Sequence, residues 1–282
     1  MLKRAAYNMM TKRTLKRSEN RPVVIGVCYH RFEVLPKDDP LPGMAITPER
    51  FAKQIQWMRE VGTIAPIDDL YSGPLSPGVH FFVSFDDGYE DNLTTLTPIL
   101  RARRIPCTLF VTADFVRGTL PRFAHDEAIG FAPSALSPGQ LREAADVPGV
   151  TIGCHTATHP RLTTFDRETW LDEWAGSKRW LEGVVERPVE HAAYPFGGKA
   201  DFDWKPGGRF LHEQGYRTIS SNFGGWNDPN RPDRLVDGGK GVTHLRRVPA
   251  PNVEDREIFL GWVLGMAAPR EGWSGGDLCL TT

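Results

Sequence analysis

The amino-acid sequence predicts one α/β domain folded as a single distorted (β/α) barrel of about seven repeats. From Pro22 onward, short β-rich runs alternate with helical patterns, which is typical of βα units around a parallel sheet. The runs over 22–30 and 80–85 are almost continuously apolar, as expected of strands that are covered on both faces. No linker or internal repeat divides the 282 residues, so one domain of barrel size is the simplest interpretation.

Local patterns place the elements along the chain. Thr47 is a suitable N-cap for the first helix, and Pro48 occupies the first helical position. Residues 114–138 are rich in Gly and Pro and lack a period, so we expect an insertion over one rim of the barrel rather than a second domain. The predicted elements are, in chain order, strand 22–30, a helix from 47, strand 80–85, helix 91–104, strand 107–112, helix 138–145, strand 150–154, helix 167–185, a strand ending at 194, a helix ending near 215, strand 216–220, strand 245–248 and helix 255–266.

The composition limits the class of protein. A hydrophobic content of 40% and a charged content of 24% exclude a disordered chain. Lys and Arg number 34 against 35 for Asp and Glu, so the net charge gives no reason to expect a nucleic-acid partner. Four cysteines lack any metal-ligand spacing and are expected to be free thiols; they are Cys28, Cys107, Cys154 and Cys279.

The N-terminal stretch is the part of the sequence that bears on location. The basic N-terminus lacks the apolar core of a signal peptide, and no apolar run approaches the roughly 20 residues that span a bilayer. We expect residues 1–20 to be a frayed basic tail, 21–270 the folded domain, and 271–282 a C-terminal tail. A cytoplasmic location is the simplest expectation, with contact to an anionic membrane surface through the basic residues as an addition. The oligomeric state is not predicted.

Two motifs follow directly on predicted strands. Asp86 and Asp87 lie where a buried strand ends, which is the edge at which ligands and catalytic groups of parallel α/β folds collect. Alone, a DDG sequence is more often an ordinary turn. His155 and His159 follow another strand, so the same barrel geometry brings them to the same rim. We expect the two imidazoles, four residues apart, to lie on one helical turn. Together with a nearby carboxylate they predict a metal site that leaves a ligand position for water.

These residues carry a family resemblance. SFDDG at 84–88, HTATHP at 155–160 and AYPFG at 193–197 resemble the first three motifs of the polysaccharide deacetylase family, carbohydrate esterase family 4. Tyr29-His30-Arg31 is similar to the YHR element of one branch of that family, and the likeness extends over about 22–249. The resemblance implies the deacetylase form of the (β/α)7 barrel and a hydrolase of this type.

The resemblance also implies roles for single residues. Asp86 would be the catalytic base, Asp87, His155 and His159 the metal ligands, and a backbone N–H near Phe196 an oxyanion donor. The ligand set suits one divalent ion, with Zn²⁺ as the default and Co²⁺, Ni²⁺ or Fe²⁺ as alternatives. Such an ion lowers the pKa of its bound water toward ~7 and polarises the acetyl carbonyl.

Two positions depart from the family pattern. Many members have an arginine that orients the base where this chain has Ala193, and Arg247 is the candidate replacement, although a surface arginine fits that position equally well. The late histidine that protonates the leaving amine has no clear match. His244 is the nearest candidate by position, and His30, at the end of the first strand, is the other; each has an ordinary structural interpretation as well.

Aromatic side chains could provide a sugar-binding surface. Tyr194, Pro195 and Phe196 lie in the third motif, and Trp226 stands among residues typical of a loop. The predicted substrate-binding residues are, in full, His30, Tyr194, Pro195, Phe196, Trp226 and Arg247. Cys154 should point away from its neighbour His155 by strand alternation.

Three functions compete at this point. The leading hypothesis is metal-dependent hydrolysis of an N-acetyl group on an amino sugar in a polysaccharide, oligosaccharide or glycan precursor. The second is a C–N hydrolase that acts on a small non-sugar amide. The third is a non-catalytic glycan-binding protein of the same fold, against which the intact Asp86, Asp87, His155 and His159 argue.

Overall fold

The computed structural model describes residues 2–32, 44–70, 74–128, 130, 132–230, 234–237 and 240–265. Its strands are β1 (Pro22–Tyr29), β2 (Arg31–Phe32), β3 (Ala45–Ile46), β4 (Thr63–Ile64), β5 (Gly78–Asp87), β6 (Cys107–Val111), β7 (Val150–Cys154), β8 (His191–Ala193), β9 (Thr218–Ser220), β10 (Arg234–Asp237), β11 (Lys240–Leu245) and β12 (Arg247–Pro249). The predicted C-terminal tail and Cys279 lie outside the described residues.

The helices alternate with these strands. They are α1 (Leu2–Ser18), α2 (Pro48–Val61), α3 (Thr97–Arg103), α4 (Ala113–Arg117), α5 (Ala124–Ala128), α6 (Pro138–Ala145), α7 (Arg167–Trp170), α8 (Ser177–Val185), α9 (Trp204–Glu213) and α10 (Arg256–Gly265), with a 3₁₀ turn at Asp68–Leu70 and π-helical segments at Asn92–Leu96 and Leu171–Gly176. Thr47 caps α2 as predicted, because its side chain accepts a hydrogen bond from the Arg50 N–H.

The parallel strands form a nearly closed barrel, so the predicted fold class is confirmed. The order is β11-β9-β8-β7-β6-β5-β1-β12, and all of these neighbours pair in parallel. The predicted strand near 245–248 is divided at Arg246: β11 pairs with β9, whereas β12 pairs with β1. This change of partner brings the two edges of the sheet together.

Strand alternation separates the barrel interior from its helical coat. On β5, Phe81, Val83 and Phe85 belong to the large core beneath the helices. Phe82 belongs instead to a small interior cluster, and Asp86, four residues later, lies on the same inward face. The rim at the carboxyl ends of the strands is therefore where the predicted site residues meet.

The predicted insertion crosses this rim and is tied to it by a buried ion pair. Arg31 lies 3.0 Å from Asp126 of α5, and both side chains are fully buried. The Tyr89 hydroxyl donates to the other Asp126 oxygen at 3.0 Å. Because breaking a buried pair leaves an uncompensated charge, this contact holds the insertion in one place.

The prediction of a frayed basic N-terminus is wrong for residues 2–18, which form α1. The Thr14 hydroxyl donates to the Leu264 carbonyl at 2.9 Å. Gly261 permits a close approach of the two helices, since a Cβ there would lie 2.1 Å from the Tyr7 Cβ. Packing against α10 therefore orders α1. Within the described chain, no helix has both the length and the apolar content that crossing a membrane requires.

Candidate active site

The Asp87 carboxylate is the centre of the candidate site. It is 1% exposed, and neither of its oxygens has a hydrogen-bond partner among the residues that the structure describes. One of them lies 3.5 Å from His155 Nε2 and 3.5 Å from His159 Nε2. Burial, together with the charges of Asp86 and Asp126, raises the pKa of Asp87 well above its usual range. A carboxylate left without partners in this way fits a cation, and the three ligand atoms lie within 4.8 Å of one another.

The backbone at the end of β5 turns Asp87 toward this centre. Strand alternation alone would point Asp87 away from the face that carries Asp86. Asp87 instead has a φ of 80°, in the left-handed region that non-glycine residues rarely adopt. Backbone strain of this kind is common where a functional side chain must be aimed.

Hydrogen bonding sets the tautomer of His155. Its Nδ1 lies 2.7 Å from the Ala193 carbonyl oxygen, which can only accept, so Nδ1 carries the proton. Burial lowers the pKa of His155 and favours the neutral ring. The lone pair of Nε2 then faces Asp87, as a metal ligand requires.

The two histidines lie on a loop, so the prediction that they share one helical turn is wrong. Thr156 and His159 both have positive φ values, 68° and 62°. Glu173 holds the loop in this shape: its carboxylate accepts from the Ala157 N–H at 2.9 Å, the Thr158 N–H at 3.0 Å and the Thr158 hydroxyl at 2.6 Å. Sequence reasoning missed Glu173, which lies in the π-helical segment between α7 and α8.

Arg247, the candidate replacement for the arginine that is absent at Ala193, binds the Asp86 carboxylate. Its two terminal nitrogens lie 2.6 and 2.8 Å from the two Asp86 oxygens. Further hydrogen bonds run to the Ser84 hydroxyl and the Ser221 carbonyl. Burial alone would raise the pKa of Asp86, but the charges of Arg247 and His155 and the Arg247 hydrogen bonds outweigh it and lower the pKa. The bidentate contact fixes the plane of the Asp86 carboxylate.

His30 lies beside Asp86 at the same rim. Its ring belongs to a cluster with Cys28 and Asp86 whose ligand atoms lie within 4.8 Å of one another. The Cys28 thiol donates to Asp86 at 3.4 Å, and Asn92 binds the His30 backbone carbonyl at 3.0 Å. The end of β1 is thereby fixed, with an imidazole placed near the carboxylate.

Comparison with known proteins agrees with this geometry. Residues 77–204 match the family model described as polysaccharide deacetylase, and this range contains Asp86, Asp87, His155 and His159. Residues 77–204 therefore form a polysaccharide deacetylase domain.

Related proteins place the deacetylase domain among known folds. The deacetylase PplD from Streptococcus pyogenes, solved in complex with acetate, has a TM-score of 0.67 and 19% identity over 86% of this chain and 98% of its own. IcaB from Ammonifex degensii has a TM-score of 0.59 and 22% identity over 88% and 100% of the two chains. The Bacillus subtilis protein named "Putative polysaccharide deacetylase YxkH" is 26% identical over 115 residues, which are 41% of this chain and 36% of that relative. The match thus spans well under half of the curated relative.

His244 lies away from Asp86, outside the residues that match the family model. Leu245 belongs to the interior cluster, so His244 lies on the outer face of β11. Its ring is buried against Trp204 and Phe223, with Nε2 2.8 Å from the Ser221 hydroxyl. This is the environment of a packed histidine, and the prediction that His244 is the catalytic acid does not fit it.

The third motif contributes one exposed aromatic ring. Phe196 is 44% exposed, has a φ of 64°, and its ring centroid lies 5.0 Å from that of His159. Tyr194 is buried and donates to the Gly197 and Gly198 carbonyls, so it shapes the loop rather than facing a substrate. Pro195 is also buried.

Trp226 does not lie at this rim, and its prediction as a substrate-binding residue is wrong. Its neighbour Asn227 pairs with Val24 of β1. Val24 in turn pairs with His80 of β5, which lies six residues before Asp86 on that strand. At about 3.3 Å per residue this is roughly 20 Å from the candidate site. The Arg17 guanidinium covers the Trp226 ring at 3.9 Å.

Proposed function

We propose that this protein is a metal-dependent hydrolase that removes acetyl groups from N-acetylated amino sugars in a polysaccharide, oligosaccharide or glycan precursor. The family supports sugar deacetylation. The observation that supports the metal dependence is the buried Asp87 carboxylate, which has no hydrogen-bond partner in the described part of the chain and faces two imidazole nitrogens. A binding protein has no need for a second carboxylate, Asp86, held beside this set.

Asp87, His155 and His159 would hold the ion, for which Zn²⁺ is the default choice. When bound there, a divalent ion polarises the acetyl carbonyl and acidifies the attacking water. The Ala193 carbonyl keeps the His155 lone pair available, and Glu173 keeps the loop between the two histidines in its shape. The ligand positions are therefore prepared by the protein itself.

Asp86 acts as the general base. Arg247 fixes both of its oxygens, and each oxygen keeps lone pairs that can accept a proton from water. Ala193 leaves no arginine in the third motif, so the orienting charge reaches Asp86 from β12 instead. Phe196, exposed beside His159, supplies an apolar surface for a sugar ring.

His30 is the better candidate for the acid that protonates the leaving amine. Its ring reaches the neighbourhood of Asp86, whereas His244 is packed outside the barrel. We expect His30→Ala to lose amide hydrolysis but to keep hydrolysis of an activated acetyl ester, whose leaving group needs no proton. His244→Ala is the matched control. Equal loss on both substrates would assign His30 to binding rather than acid catalysis.

The deciding experiment measures acetate release from chitooligosaccharides, before and after chelation and with zinc or cobalt added back. Asp87→Ala should lose both the bound ion and turnover, and Asp86→Asn should keep the ion and lose turnover. Asp172→Asn, on the exposed side of a helix, is the control for loss of one carboxylate. A bound ion without acetate release would favour the small-amide hydrolase, and a chain that binds no ion would favour the glycan-binding protein.

A further inference from the structure

The outer face of α1 carries an unusual concentration of positive charge. The helix contains six basic residues and no acidic one, so a chain with a formal net charge of −1 carries −7 outside this helix. Four of the basic side chains are exposed: Lys12, Arg13, Lys16 and Arg17. The positive charge of this helix therefore stands against a net negative charge summed over the rest of the chain.

The exposed residues of α1 form one continuous face. At about 100° per residue, Ala5, Ala6, Met9 and the four exposed cations fall within an arc of about 140°. The opposite side docks on α10 through Tyr7 and Thr14. The helix therefore presents its basic face in a fixed orientation, and the protein needs no further folding to display it.

Met9 favours one kind of binding partner for this face. It is 68% exposed and lies between Lys16 and Arg13 around the helix axis. A polyanion such as a nucleic acid has phosphates for the lysines and arginines but no apolar phase for a methionine. An anionic bilayer offers both, because headgroups bind the cations while an apolar side chain enters the interface.

We propose that the face formed by Ala5, Ala6, Met9, Lys12, Arg13, Lys16 and Arg17 binds the surface of an anionic lipid bilayer. The negative charge of the remaining surface would be repelled by such a bilayer, so binding through α1 also orients the protein. This inference is independent of the proposed function, since none of these residues touches Asp86, Asp87, His155 or His159 in the described contacts.

The test is co-sedimentation of the full chain with vesicles of phosphatidylcholine, with and without phosphatidylglycerol. Only the anionic vesicles should bind the protein, and added salt should weaken the binding. Lys12→Gln, Arg13→Gln and Lys16→Gln combined should weaken partitioning about 100-fold, at a few-fold for each cation removed. The matched control combines Arg101→Gln, Arg103→Gln and Arg179→Gln, which remove the same charge from exposed positions on other helices.

The control variant should bind like the wild type, and Met9→Ser should bind anionic vesicles several-fold more weakly with no change in charge. Equal weakening in both triple variants would overturn the proposal, because net charge rather than this face would then govern binding. Absence of binding to anionic vesicles, or retention of an acidic polysaccharide or DNA instead, would also overturn it. Acetate release from a soluble oligosaccharide should be the same in all these variants, which separates this test from that of the proposed activity.

Discussion

Replacing Arg247 with methionine should destabilise the protein far more than an average substitution. Methionine keeps an unbranched side chain of similar reach in a buried position while removing the charge. Asp86, which is 2% exposed, would lose both of its hydrogen bonds from Arg247. The Ser84 hydroxyl and the Ser221 carbonyl would each lose a donor as well.

The dominant cost is the charge left on Asp86. Removing one partner of a buried ion pair typically costs about 3–5 kcal/mol, because the remaining charge stays desolvated without compensation. The loss of stability caused by Arg247→Met should be smaller when the charge on Asp86 is removed in the same protein. In Asp86→Asn combined with Arg247→Met, the two effects should therefore be non-additive by about 1–3 kcal/mol.

Urea unfolding followed by circular dichroism measures these free energies. The wild type, both single variants and the double variant should be compared in the presence of a chelator, so that no ion compensates the Asp86 charge. A loss below about 1 kcal/mol for Arg247→Met would refute the reasoning, since that is the range of an exposed ion pair. Additive single effects would refute it as well.

Three further substitutions test the site. Glu173→Gln should weaken zinc binding in calorimetry by about 10-fold or more, because it disturbs the loop that carries two ligands, whereas the exposed Glu168→Gln on the same helical run should have no effect. Phe196→Ala should raise KM about 5-fold with little change in kcat, as expected for the loss of about 1 kcal/mol of ring contact; an unchanged KM would place the sugar elsewhere. Trp226→Ala should leave KM unchanged and lower the thermal midpoint, because its ring packs with Arg17 of α1; a raised KM would contradict its position.

The barrel could be predicted because its strands carry strong local signals. β1 and β5 are apolar along most of their length, and the Trp-rich helical run from Arg167 to Val185 is continuous in the structure apart from its π-helical segment. The α1 helix could not be predicted in the same way. Its own apolar pattern is weak, and the contacts that order it come from Gly261 and Leu264, which are some 250 residues away in sequence.

The candidate metal ligands could be predicted because each follows a strand, and parallel strands end at one rim. The contacts that shape the site could not. Glu173 looks like any acidic residue of an amphipathic helix until its carboxylate is seen on the Ala157 and Thr158 amides. The left-handed conformations of Asp87 and His159 likewise depend on the surrounding packing, since neither residue type requires them.

One of the incorrect expectations could have been avoided by strand alternation. His244 and Arg247 were both candidates for the site, yet they lie only three residues apart, at the end of β11 and the start of β12, with Arg246 between the two strands. Side chains separated by an odd number of positions point to opposite faces of a strand. Once Arg247 reaches Asp86 inside the barrel, His244 must face the helices, where it packs against Trp204. Leu245, two residues before Arg247, lies in the interior cluster, so the alternation continues across Arg246. We therefore expect the acid to come from another strand, and His30, which directly follows β1, lies beside Asp86.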